Sequence, residues 1–146
     1  MYHVLVPVDG NETRARAQLD TLLELGNEIE ELRVDVLYVF EEIDTPADEA
    51  GGSYIDAINR NLEDLQGLPD TVDLVVSSLT DVGVDARAHD VRGDPPVAIL
   101  DIAEEFDVDA IIIGTRKRTP VGKVLFGSVA QSVILESDRP VLITPA

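Results

Sequence analysis

The sequence predicts an α/β protein with an open five-stranded parallel sheet and helices on both faces. Two observations predict it: short apolar runs alternate with helix-periodic segments along the whole chain, and most of those runs are apolar on both sides. A strand that is apolar at every position is one covered by helices above and below. Connections between such strands are expected to be right-handed crossovers.

His3 to Val8 (HVLVPV) is the first such run. From Thr13 onward, Ala15, Leu19, Leu22, Leu23 and Leu25 fall on one helical face, and Gly26 stands where a helix would stop. Arg33 to Phe40 (RVDVLYVF) gives a second strand, and Glu41 to Gly52, acidic and without periodicity, reads as a surface loop. Helical periodicity runs from Tyr54 to Leu65, breaks at Gly67-Leu68-Pro69, and resumes from Thr71 to Leu79. Asp85 to Val91 supplies a third strand. Gly93-Asp94-Pro95-Pro96 then gives a turn, an N-cap aspartate and a first-turn proline opening a helix from Pro95 to Phe106. Ala110 to Gly114 is a fourth strand, Val124 to Glu136 a last helix and Pro140 to Thr144 a fifth strand. The 146 residues, 45% hydrophobic, are enough for one domain over residues 1–146 with one continuous core.

In sheets of this kind ligands bind outside the carboxyl ends of the strands, where strand order reverses. The segments to inspect are therefore Asp9-Gly10, Val39 to Glu41, Val91 to Asp94 and everything after Ile113.

Charge narrows the classes of partner. The chain has 29 acidic and 11 basic residues, a formal net charge of −18, and only two of the basic residues are lysines. Such a chain repels nucleic acid and anionic membranes. Excess carboxylate at low lysine is also the surface expected of a protein working in concentrated salt, which screens self-repulsion. A halophilic source is the leading reading. Cysteine is absent, which removes disulfides and thiol chemistry. No apolar run reaches the roughly 20 residues of a membrane span, so a cytoplasmic protein is expected.

The segment from Ala110 to Leu135 inverts this charge: Arg116, Lys117, Arg118 and Lys123 stand there without an acidic residue. Bounded by Gly114 and by Gly127-Ser128, it has the parts of an anion site, since glycine admits close backbone approach, a hydroxyl donates and a helix end adds partial positive charge. The same residues also fit an ordinary solvated loop whose cations pair with neighbouring carboxylates.

Named phosphate motifs do not fit. Ahead of Gly122-Lys123, the first glycine of a P-loop would be Lys117, and Val124 replaces its hydroxyl residue; G-x-G-x-x-G follows no strand. Asp9, directly after the first strand, suits either a hydrogen bond to a ribose or base or a turn or cap position. Asp94 reads as a cap. His3 and His89 are 86 positions apart, and each reads as a satisfied or surface histidine rather than a metal ligand. Gly127-Ser128-Val129-Ala130 lacks the second glycine of a nucleophile elbow. No residue is designated as nucleophile or general base, and no catalytic activity is expected, although slow ATP hydrolysis stays open.

Taken together, VPVD after the first strand, LYVF in the second, VRGDP after the third and IIIGTRKRTPVGKVLFGSV followed by RPVLI resemble the universal stress protein family over nearly the whole chain. The acidic, lysine-poor composition adds the expectation of a haloarchaeal member. The resemblance implies a Rossmann-like fold of the adenine nucleotide alpha hydrolase type. The nucleotide-binding members carry G-x-x-G, nine residues, then G-[ST]. Gly114, Gly127 and Ser128 match that pattern with the spacing kept, whereas Lys117 replaces the second glycine.

In its ATP-binding form the resemblance implies Asp9 and Val39 around adenine and ribose, with Gly114, Gly127, Ser128 and Val129 on the phosphates. Pro7, Val8, Ile113, Arg116 and Lys117 complete the expected site. It implies ATP or AMP as ligand, with Mg2+ as an optional companion, a regulatory role in stress response, and a homodimer formed through the C-terminal strand. Lys117 either crowds the phosphates or pairs with them, and these give opposite signs for Lys117→Gly. The alternative function is a nucleotide-free dimeric interaction protein of the same fold; no protein partner is identified.

Overall fold

The computed structural model describes residues 1–41, 67–115 and 127–145. The loop read over 42–52, the helix over 54–65, the start of the last helix at 124–126, and Arg116, Lys117, Arg118 and Lys123 lie outside the described residues.

Among the described residues the elements follow in the order β1 (Tyr2–Pro7), α1 (Glu12–Glu28), β2 (Leu32–Glu41), α2 (Asp70–Asp81), β3 (Asp85–Gly93), α3 (Pro95–Glu105), β4 (Ala110–Thr115), α4 (Ser128–Glu136) and β5 (Val141–Pro145). All strands are parallel, in the spatial order β3-β2-β1-β4-β5. The chain moves outward from β1 through β2 to β3, then returns to the other side of β1 for β4 and β5. With right-handed crossovers, that reversal sends α1 and α2 to one face and α3 and α4 to the other.

The buried side chains divide accordingly. Val4 and Val6 of β1, Val34 and Val36 of β2 and Ile112 of β4 pack with Ala15, Leu19 and Leu22 of α1 and Val72, Val75 and Leu79 of α2. On the opposite face, Leu5, Leu37, Ile111 and Ile113 meet Ile99 and Ala103 of α3 and Ala130 and Val133 of α4. Val4, Leu5 and Val6 are all fully buried, which is why this run is apolar without alternation. Each such side chain contributes about 1.5–3 kcal/mol by leaving water.

The two sheet edges differ. β3 carries Asp85, Arg87, Asp90 and Arg92, the charged pattern that discourages strand addition. β5 reads VLITP, with Leu142 and Ile143 exposed by 39% and 37%.

Three local expectations are corrected. Gly26 does not stop α1, which continues to Glu28 and closes with the Ile29 N–H on the Leu25 carbonyl. There, a Cβ would meet only Val84 at 3.4 Å and Leu32 at 3.9 Å, so position 26 lies within the packed turn of the helix. Asp94 occupies the N-cap position of α3, but its carboxylate makes no capping bond. Pro95 and Pro96 remove two of the N–H groups such a cap would serve. Finally, the last helix begins at Ser128, with Gly127 extended at its N-cap (φ −69, ψ 167).

Candidate functional site

β1 and β4 pair only through Val4↔Ala110 and Leu5↔Ile111. Beyond that point the neighbouring strands part, as they do where strand order reverses, and a crevice opens at their carboxyl ends. A polar side chain from α1 spans the split. Gln18, only 2% exposed, donates its Nε2 hydrogens to the carbonyls of Pro7 (2.7 Å) and Ile112 (3.2 Å), one on each of the two parting strands. Thr71 Oγ1, in the first turn of α2, donates to the Asp9 carbonyl at 2.6 Å and fixes the exit of β1.

Above the split lies a cleft of about 410 Å³. Its walls are the ends of three strands (Pro7, Val8 and Asp9; Tyr38, Val39 and Glu41; Ile113, Gly114 and Thr115), Arg14 and Gln18 of α1, Pro95 and Ile99 of α3, and the start of α4 from Gly127 to Ala130. Every described residue of the expected site lines it: Pro7, Val8, Asp9, Val39, Ile113, Gly114, Gly127, Ser128 and Val129. The sequence reading missed Arg14, Gln18 and Tyr38, and had Glu41 only as the end of the Val39 to Glu41 segment to inspect. Gln18 had a signal, being a polar residue beside Leu19 on a helix face that is otherwise buried and apolar. Arg14 had one too, standing one helical turn before it.

Gly114 has a packing reason. A Cβ there would meet Arg14 Cβ and the Cδ and Oε1 of Gln18, all at 3.3 Å, so these α1 side chains would have to give way by a few tenths of an ångström. At Gly127 a Cβ would meet nothing within 4 Å among the described residues. No side chain caps that helix among the described residues, so its first N–H groups keep the partial positive charge of a helix start beside the cleft. Gly93, at the end of β3, has φ +154, a conformation that a side chain would strain.

Asp9 is a turn residue and not the cap of α1. Its Oδ1 accepts from the Asn11 N–H at 2.9 Å, while Asn11 is the cap, accepting from the Arg14 N–H at 2.9 Å. The other oxygen, Oδ2, accepts from Arg14 Nε at 3.0 Å and forms an ion pair with Nη2 at 2.9 Å.

The tertiary fold also joins the two histidines. Asp35 of β2 is fully buried, and its two carboxylate oxygens accept from His3 Nε2 of β1 and from His89 Nε2 of β3, the latter at 2.7 Å. Phe106 lies against both rings, stacked on His3 at 6.4 Å and edge-on to His89 at 5.0 Å. Burial pushes the Asp35 carboxyl up, but the hydrogen bonds from His3 and His89 and the charge they can carry outweigh it, holding it below the ordinary carboxylate value. Both histidines are thus satisfied, by one shared acceptor. Among the described residues no cluster suits a metal ion, and no helix is long and apolar enough to cross a membrane.

Comparison with known proteins places this geometry in context. The model of the family described as "Universal stress protein family" matches residues 1–145. Universal stress protein YxiE of Bacillus subtilis is 30% identical over 146 aligned residues, covering 96% of each chain. Universal stress protein MJ0577 of Methanocaldococcus jannaschii is 39% identical over 69 residues, 47% of this chain and 43% of that one, so this sequence match spans less than half of MJ0577. The solved MJ0577 structure superposes with a TM-score of 0.75 at 26% identity, covering 99% of this chain and 96% of that one. The universal stress protein of Archaeoglobus fulgidus, solved in complex with dAMP, superposes with a TM-score of 0.63 at 25% identity, covering 98% and 97%.

Proposed function

Because the chain belongs to the universal stress protein family, we propose that it is an adenine-nucleotide-binding regulatory module of a stress response, taking ATP or AMP in the cleft where β1 and β4 part. The observation that carries this reading is the convergence on one cleft of the strand ends, Gly114 and the start of α4 at Gly127 and Ser128. Asp9 and Val39 would face the base and ribose, and Gly114, Gly127, Ser128 and Val129 the phosphates. A helix N-terminus favours an anion there, and glycine admits oxygen to the backbone. A related protein of the family was solved with dAMP, which supports an adenine nucleotide as the ligand class. When ATP is the ligand, Mg2+ accompanies its phosphates.

The role is binding rather than turnover. The histidines, the commonest general bases, pair with Asp35 and neither lines the cleft. Ligand would bias a conformation or a contact in the cytoplasm, within a homodimer paired through β5. Its apolar, exposed edge favours that pairing over the charged edge of β3.

Mass spectrometry of the ligand released from freshly purified protein tests the reading. An adenine nucleotide at near one per chain, or micromolar binding of ATP or AMP by calorimetry, is expected. Absence of both would leave the dimeric, nucleotide-free interaction protein as the function.

A further inference from the structure

Among its described residues the cleft carries more acid than base, which its glycines do not offset. Asp9 and Glu41 line it, and Arg14 is the one cation among its described lining residues. A phosphate brought there enters a site whose described side chains are net negative, in a chain of net charge −18. Arg14 is also engaged with the very carboxylate expected to read the nucleoside, since Nε donates to Asp9 Oδ2 and Nη2 lies 2.9 Å from the same oxygen as an ion pair.

Arg14 is placed to change partner. Its backbone N–H is fixed by the Asn11 cap, and Gly114 leaves room for its stem, because a Cβ at position 114 would come within 3.3 Å of Arg14 Cβ. The stem of Arg14 is therefore seated beside the end of β4, and its guanidinium lines the cleft that the start of α4 shares. The pair it makes with Asp9 is partly solvated, with the Arg14 side chain 29% and the Asp9 side chain 54% exposed. Such a pair is weakly held and screened by salt, whereas arginine forms strong forked hydrogen bonds to phosphate.

We infer that Arg14 is a specificity-determining residue that exchanges Asp9 for the ligand's phosphate, so that phosphate binding is what frees Asp9 to accept from the nucleoside. The inference rests on the nucleotide reading above and deepens it. The two halves of the ligand become interdependent: a phosphorylated adenosine satisfies both Arg14 and Asp9, while adenosine alone must compete with Arg14 for the Asp9 carboxylate and leaves the guanidinium without its acceptor. The site thus selects nucleotides against nucleosides through one pair of side chains.

Titration calorimetry with AMP and adenosine, without Mg2+ and at one fixed salt concentration, tests this on the wild type, Arg14→Ala, Arg14→Lys and Asp9→Asn. The wild type is expected to bind AMP at least about tenfold more tightly than adenosine. In Arg14→Ala that ratio should collapse towards one, with AMP weakened about tenfold or more and adenosine unchanged or tightened. Arg14→Lys should keep part of the preference, and Asp9→Asn should weaken both ligands. An Arg14→Ala variant that keeps the wild-type ratio overturns the inference while the nucleotide reading stands. So does a variant that loses AMP and adenosine equally at an unchanged melting temperature. A wild type that binds neither ligand overturns the nucleotide reading, and the inference with it.

Discussion

Gly114 and Gln18 are in contact across the end of the sheet: a Cβ at position 114 would lie 3.3 Å from both Cδ and Oε1 of Gln18. The glycine therefore lets α1 settle close enough for Gln18 to reach the carbonyls of Pro7 and Ile112. Gly114→Ala should force that side chain aside and destabilise the protein by about 1–3 kcal/mol. Gln18→Leu should cost about 1–3 kcal/mol by leaving two carbonyls without a donor. Made together, the changes should be less than additive, because the leucine no longer has a bond for the alanine to break. Denaturant melts of the four proteins measure this.

Asp35 gives stability a pH dependence of known sign. Its folded carboxyl titrates below the ordinary value, so the stabilisation from His3 and His89 is present above the unfolded carboxylate range, near pH 3.9. It is lost as pH falls through the lower, folded value. Asp35→Asn should cost about 1–3 kcal/mol at pH 7, and the gap to wild type should narrow in acid, below about pH 4. A gap constant from pH 7 to pH 3 would show that the carboxylate charge contributes nothing.

The β5 edge offers a direct test of assembly. Leu142 and Ile143 are exposed on a strand with one unpaired side in the isolated chain. Sedimentation at micromolar concentration in high salt should give a dimer for the wild type and a monomer for Leu142→Lys/Ile143→Lys, since facing lysines repel across a paired edge. A wild-type monomer would exclude the β5 homodimer.

Salt should act through the formal charge of −18. The Debye length falls from about 30 Å at 0.01 M to about 3 Å at 1 M, which removes most of the repulsion between surface carboxylates. The melting temperature should therefore rise by several degrees or more from dilute buffer to molar KCl. An unchanged melting temperature would remove the halophilic reading.

What the sequence determined by itself was the periodicity, and with it the layers. β1 and β4 are buried on both faces, so their runs are apolar throughout, and the helices between them show their buried stripes at Leu19, Leu22, Val75 and Leu79. The lining residues at strand ends were legible for the same reason: a parallel sheet fixes where its ligand edge must be, and Gly114, Gly127 and Ser128 kept a recognisable spacing. Tertiary structure alone decided the pairings between residues distant in the chain. Gln18 reaches the carbonyls of Pro7 and Ile112 because β1 and β4 part at that point. His3, Asp35 and His89 stand on three strands, and nothing local marks them as partners. Strand order brings them side by side, where a buried carboxylate requires donors and the two histidines supply them.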